Sequence, residues 1–135
     1  MRYKAIIEGK EYPLPEIIYD FNKERLDEYL FEDEEGKYID FDMFSEEDTY
    51  DNLNLISYQC SNAVGTMVLD DEKALQRYNE IGPQIRTFDK MARMNHEKGN
   101  DERAKQNLLE GMKLELDFYS KELELEKLGQ NKGSR

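Results

Sequence analysis

The chain has 135 residues and a mass of 16.1 kDa, which is the size of one domain. Its 31 acidic and 19 basic residues give a formal net charge of −12. Nine tyrosines and six phenylalanines are too many for a disordered acidic chain, and no apolar run approaches the roughly 18 residues of a membrane span. The start lacks the apolar stretch of a signal peptide, and the single cysteine, Cys60, fits a reducing compartment, so we expect a cytoplasmic protein with no membrane partner.

The first part of the chain predicts short strands around one helix. Residues 3–7 alternate in polarity, Gly9 and Lys10 supply a turn, and residues 11–14 return, which is the pattern of a β-hairpin. Pro15 is typical of a helix start, and the apolar spacing that follows predicts a helix to about Phe31, ended by the Glu34-Glu35-Gly36 sequence. Residues 37–44 alternate again and predict a short strand.

The rest of the chain predicts helices. Ser45 and Asp48 resemble a capping box at the start of a first helix. Asp70 or Asp71 can cap the second helix. Gly82-Pro83 predicts a kink or a break in that second helix. Residues 96–101 read as a turn, and residues 102–128 as a long amphipathic helix that forms a helical hairpin with the one before. The stripe of the first of these helices consists of Leu53, Ile56, Cys60, Ala63, Val64 and Met67.

The predicted fold is therefore α+β, with an N-terminal β-hairpin and short strand and a mainly helical C-terminal half. We expect a single domain over residues 1–128 and a flexible polar tail over residues 129–135. Phe118 and Leu125 lie off the main stripe of the last helix and broaden its apolar face. Two explanations stay open: a homo-oligomer interface through this helix, or a helix buried centrally in its own domain.

The acidic residues are concentrated in one segment. Residues 16–51 contain 15 acids and three bases, so they carry the whole net charge, and the remaining residues are formally neutral. The segment is either a solvated face that keeps the protein soluble or an interface for a protein with a basic surface. Direct nucleic-acid binding is not expected, because phosphate contact needs cationic surface and the bases after Asp70 are interspersed with acids. The candidate partner-binding acids are Glu24, Asp27, Glu28, Glu32, Asp33, Glu34, Glu35, Asp40 and Asp42.

The sequence offers little for catalysis, so we expect no enzyme activity, no cofactor and no metal. His96 is the single histidine and falls in the predicted turn, and Cys60 lies on an apolar helical face without a base in sequence proximity. Asp40 and Asp42 occupy the first and third positions of a calcium loop, but Phe44 and Ser45 replace its fifth ligand and its glycine. The glycines occur singly, so no phosphate-binding loop is present.

The opening YKAIIEGKEYPLP resembles the start of small tail-assembly chaperones of siphophages, which begin with a strand, an xGKEY turn and a second strand. The resemblance covers Tyr3 to Leu14 and implies a non-enzymatic protein of an infected or lysogenic bacterial cell, which binds tape-measure or tail-tube proteins and self-associates. The acidic segment supports a different hypothesis, a nucleic-acid mimic that inhibits a host defence nuclease or another nucleic-acid enzyme. An immunity or antitoxin protein with a basic partner would use the same surface, and the sequence does not separate these alternatives.

Overall fold

The computed structural model describes residues 3–15, 30–43 and 50–133. Most of the helix predicted after Pro15 and the capping box at Ser45 lie outside these ranges. The same holds for three of the candidate acids, Glu24, Asp27 and Glu28.

The N-terminal part of the described chain is a four-stranded sheet. Its strands are β1 (Tyr3–Ile7), β2 (Lys10–Leu14), β3 (Leu30–Asp33) and β4 (Gly36–Asp40), in the order β2-β1-β4-β3. The pairs β1–β2 and β3–β4 are antiparallel hairpins, and β1 and β4 pair in parallel at the centre. The predicted hairpin is confirmed.

Two N-terminal predictions were wrong in their bounds. Leu30 and Phe31 belong to β3 rather than to the end of a helix, because pairing with β4 brings Leu30 against the core and the Phe31 ring to 5.6 Å from the Tyr38 ring. The predicted strand over residues 37–44 stops at Asp40 and continues as a 3-10 helix, Phe41–Met43. The Asp40 side chain accepts a hydrogen bond from the Asp42 N–H, and this local bond favours a turn over a longer strand.

The C-terminal half consists of the helices α1 (Tyr50–Val68), α2 (Glu72–Glu97) and α3 (Asp101–Gly133). Asp71 is the N-cap of α2, and its carboxylate accepts from the N–H groups of Lys73 and Ala74. The helix is not divided at Gly82-Pro83, since one proline removes a single backbone hydrogen bond and α2 packs on α3 on both sides of it. The helix α3 runs past the predicted end at Leu128.

Polar contacts along their length show that α2 and α3 form the predicted antiparallel hairpin. Arg77 donates two hydrogen bonds to Glu122 near one end, and Asn95 donates one to Asn107 near the other. Near the turn between β1 and β2, Glu8 accepts from Gln106 and Lys113 and so ties the sheet to α3. Within the described ranges, no helix is long and apolar enough to cross a membrane.

The core lies between the sheet and the helices, which confirms the α+β prediction. Ala5, Ile7 and Ile39 from the sheet share one buried cluster with residues of all three helices. Of the stripe predicted for α1, five residues are buried and Met67 is partly exposed. The helical members of this cluster are Tyr50, Leu53, Ile56, Cys60, Ala63, Ala92, Ala104, Leu108, Met112 and Leu116.

Candidate functional sites

A groove of about 340 Å³ lies between α1 and α2. Both helices contact α3, and they also contact each other, for example where Tyr50 of α1 stacks on His96 of α2. Tyr50 and Arg93 line one end of the groove, and Ser61 and Tyr78 line the other. The remaining lining residues are Asn54, Ser57, Tyr58, Gly82, Ile85, Arg86 and Asp89. We call this feature the α1–α2 groove.

Two exposed arginines on α2, Arg86 and Arg93, face this groove, and neither forms an ion pair or hydrogen bond with another described residue. The Arg86 guanidinium folds back over Gly82, where an added Cβ would lie 3.1 Å from Nη1. Asp89 lies between them on the same helix face. Burial raises the pKa of the Asp89 carboxyl, and the charge of Arg93 opposes that rise. The groove therefore has cationic groups at two positions and a half-buried acid between them.

Beneath the groove lies a buried carboxyl group. Glu115 of α3 is 1% exposed, and it accepts hydrogen bonds from Ser61 Oγ at 2.6 Å and Tyr78 Oη at 2.7 Å. Burial raises the pKa of Glu115, while the two hydroxyl donors lower it again in part. The three side chains connect α1, α2 and α3 through one hydrogen-bonded group.

A second polar surface lies at the end of β3 and in the turn that leads to β4. We call it the acidic turn and define it as residues 32–35. The exposed side-chain fractions are 72% for Glu32, 43% for Asp33 and 79% for Glu35, and Glu34 is exposed as well. Lys37 pairs with Glu32, and Lys4 pairs with Asp33 and Glu35. Asp33 also accepts hydrogen bonds from the N–H groups of Glu35 and Gly36, so it shapes the turn.

Two other candidate acids have structural partners. Asp42 accepts from the N–H groups of Glu8 at 2.6 Å and Gly9 at 2.8 Å, so it closes the turn between β1 and β2. Asp40 accepts from the N–H of Asp42. These contacts account for both aspartates without a partner protein or a calcium ion.

The two apolar candidates have different environments. Phe118 is 8% exposed, and its ring makes an edge contact with the Tyr78 ring at 5.3 Å between centroids. Its apolar character is therefore explained by packing between α2 and α3. Leu125 is 46% exposed near the end of α3, where Leu128 is exposed too.

Cys60 and His96 lie in different environments. Cys60 is fully buried, and burial raises the pKa of its thiol, which keeps it protonated. The sequence placed His96 in the turn after α2, but the residue belongs to the last turn of that helix. Its ring stacks on the Tyr50 ring, and its Nδ1 forms a hydrogen bond with Asp101. Across the described ranges, no group of three His, Cys, Asp or Glu residues could hold a metal ion.

The α1–α2 groove was missed from the sequence, where the bases of α2 were interpreted as paired with acids. In the structure, Arg77 forms an ion pair with Glu122, whereas Arg86 and Arg93 line the groove with Asp89 between them in sequence. The signal that could have found the groove is the spacing of seven residues between the two arginines, which places them on one helix face. No protein-family model matches this chain, and neither a curated protein nor a solved structure matches it.

Proposed function

We propose that this chain is a non-enzymatic protein-binding protein whose acidic turn contacts a basic surface of another protein. The observation that carries the proposal is the exposure of four consecutive carboxylates at one turn of the sheet, with two lysines as their counter-charges. Concentrated like charge destabilises a folded chain by self-repulsion, and complementary charge on a partner relieves it.

The fixed geometry of this turn favours recognition over simple solvation. Asp33 binds two backbone N–H groups, and β3 pairs with β4, so the backbone that carries the acids has a defined arrangement. A charged surface that is already ordered loses less conformational entropy when a partner binds. The resemblance of Tyr3–Leu14 to tail-assembly chaperones supports a partner among phage tail proteins.

The mimic and immunity hypotheses also rest on the acidic residues, but a mimic requires a larger number of exposed carboxylates on one face. A nucleic-acid mimic needs many carboxylates on one face, since duplex DNA carries one charge per roughly 1.7 Å of its axis. Asp40 and Asp42 bind backbone N–H groups instead, which reduces the number available to such a face. The chaperone-like function is therefore the one we favour.

The test is a charge reversal that leaves the turn intact. The variant Glu32→Lys, Glu34→Lys, Glu35→Lys keeps Asp33, and the control Glu102→Lys, Glu124→Lys, Glu126→Lys changes the net charge equally at exposed positions of α3. Tagged proteins are used for affinity capture from the cells that naturally produce the chain, with quantitative mass spectrometry at low and high salt. We expect a basic protein that the wild type and the control retain and the turn variant loses.

Equal retention of that protein by all three chains would contradict an interface at the acidic turn. A captured nuclease or other nucleic-acid enzyme, released steeply between 50 and about 500 mM salt, would instead support the mimic hypothesis. Circular dichroism of each variant checks that the fold is retained.

A further inference from the structure

The two groove arginines form a pair with a defined separation. Seven residues of α-helix correspond to about 10.5 Å along the axis, so Arg86 and Arg93 leave one face of α2 at backbone positions separated by roughly that distance. Among the described residues, no acid lies within ion-pair distance of either guanidinium, although the charge of Arg93 reaches Asp89 in the groove and opposes the rise in the pKa of that carboxyl. Guanidinium groups are well suited to bind carboxylates, because they donate two parallel hydrogen bonds.

Asp89 restricts which anions fit between the two arginines. It lies three residues after Arg86 and four before Arg93, so its carboxylate faces the same space. A nucleic-acid strand carries one charge per roughly 3.4 Å, and it would place phosphates against Asp89. A ligand with two negative charges about 10 Å apart and neutral groups between them avoids this repulsion.

An extended peptide meets that requirement. In a polyproline II conformation the chain has three residues per turn and rises about 3.1 Å per residue, so side chains three positions apart point to the same side at about 9.3 Å. Two acidic residues with two neutral residues between them therefore match the arginine pair. Tyr50, Tyr58 and Tyr78 line the groove, and aromatic walls are what peptides of this conformation use in other binding modules.

We propose that the α1–α2 groove binds an extended acidic peptide of a partner protein, in which carboxylates three positions apart pair with Arg86 and Arg93. The groove volume of about 340 Å³ accommodates the intervening side chains. Gly82 contributes by leaving room for the Arg86 guanidinium to lie along the helix. This surface is separate from the acidic turn and has the opposite charge.

The probe is a fluorescein-labelled octapeptide with the core Glu-Pro-Pro-Glu, in which the prolines favour the required conformation. A peptide with the core Pro-Glu-Glu-Pro has the same composition and charge but the wrong spacing. Fluorescence anisotropy with the full chain at low salt measures both. We expect the first peptide to bind about two- to fivefold more tightly, since an exposed arginine–carboxylate pair contributes modestly to affinity.

Variants then assign the binding to the groove. Arg86→Ala and Arg93→Ala should each weaken binding about 2- to 5-fold, and the double variant should remove the preference for spacing. Lys90→Ala removes an exposed charge from the same helix outside the groove lining and should leave binding unchanged. Gly82→Ala keeps every charge but brings a methyl group to 3.1 Å from the Arg86 guanidinium, so it should weaken binding less than Arg86→Ala does.

Three binding results for the wild-type chain would overturn the proposal. They are equal affinity for the two peptides, no binding of the Glu-Pro-Pro-Glu peptide at millimolar concentration, and tighter binding of a single-stranded oligonucleotide. An equal loss of affinity in Lys90→Ala would also overturn it, because that result would mean a diffuse charge effect rather than a groove.

Discussion

Glu115 is the residue whose protonation should affect stability most directly. Its pKa is raised in the folded protein, so the folded state binds the proton more tightly than the unfolded state does. As the pH rises from about 4.5 through that raised pKa, the unfolded chain loses its proton first and the free energy of unfolding falls. In Glu115→Gln this loss should be absent, so the variant should gain stability relative to the wild type as the pH increases. Chemical denaturation followed by circular dichroism between pH 4.5 and 8 measures the difference.

Glu124 supplies the matched control, because it is exposed on the same helix. Glu124→Gln should follow the wild type across the pH range. A constant difference between Glu115→Gln and the wild type at all pH values would mean that Glu115 keeps the same pKa in both states.

At the scale of single elements, the cap of α2 gives a sharp comparison between neighbours. Asp71 accepts two hydrogen bonds from the first turn of α2, and its replacement by Ala should lower the free energy of unfolding by about 1 kcal/mol. Asp70→Ala removes the neighbouring exposed acid and should change it by less than about 0.5 kcal/mol. Urea denaturation of both variants measures the two values. Equal effects would show that the cap geometry is not what stabilises the helix start.

The elements also show what the sequence could and could not predict. The hairpin of α2 and α3 and the first β-hairpin were predicted correctly, apart from a break at Gly82-Pro83, because their apolar spacing and turn residues act locally. Leu30 and Phe31, the first half of β3, were assigned to the end of a helix, since these residues form a strand only through pairing with β4. The groove and the burial of Glu115 depend on contacts between helices that are distant in sequence. Local sequence patterns do not predict such contacts.

For the whole molecule, the shared core predicts one cooperative unit. Leu108 is fully buried in the cluster that joins the sheet to the helices, so Leu108→Ala should lower the free energy of unfolding by about 2–5 kcal/mol. The loss of helical circular dichroism and the loss of amide protection in β1 should coincide at one denaturant concentration. Leu125→Ala, at an exposed position of the same helix, should cost much less. Separate transitions for sheet and helices would contradict a single domain.

The parallel pairing of β1 with β4 has a consequence for the order of folding. The hairpin of α2 and α3 closes through residues near one another in sequence, such as Asn95 and Asn107. By contrast, β1 pairs with a strand more than thirty positions away, and Glu8 contacts Lys113, which lies more than a hundred positions away. Contacts between distant residues carry a larger entropic cost of loop closure and tend to form late. Substitutions in the α2–α3 contact should therefore slow refolding, whereas substitutions in β4 should mainly accelerate unfolding. The chain would then form its helical hairpin first and join its two β-hairpins through the β1–β4 pairing last.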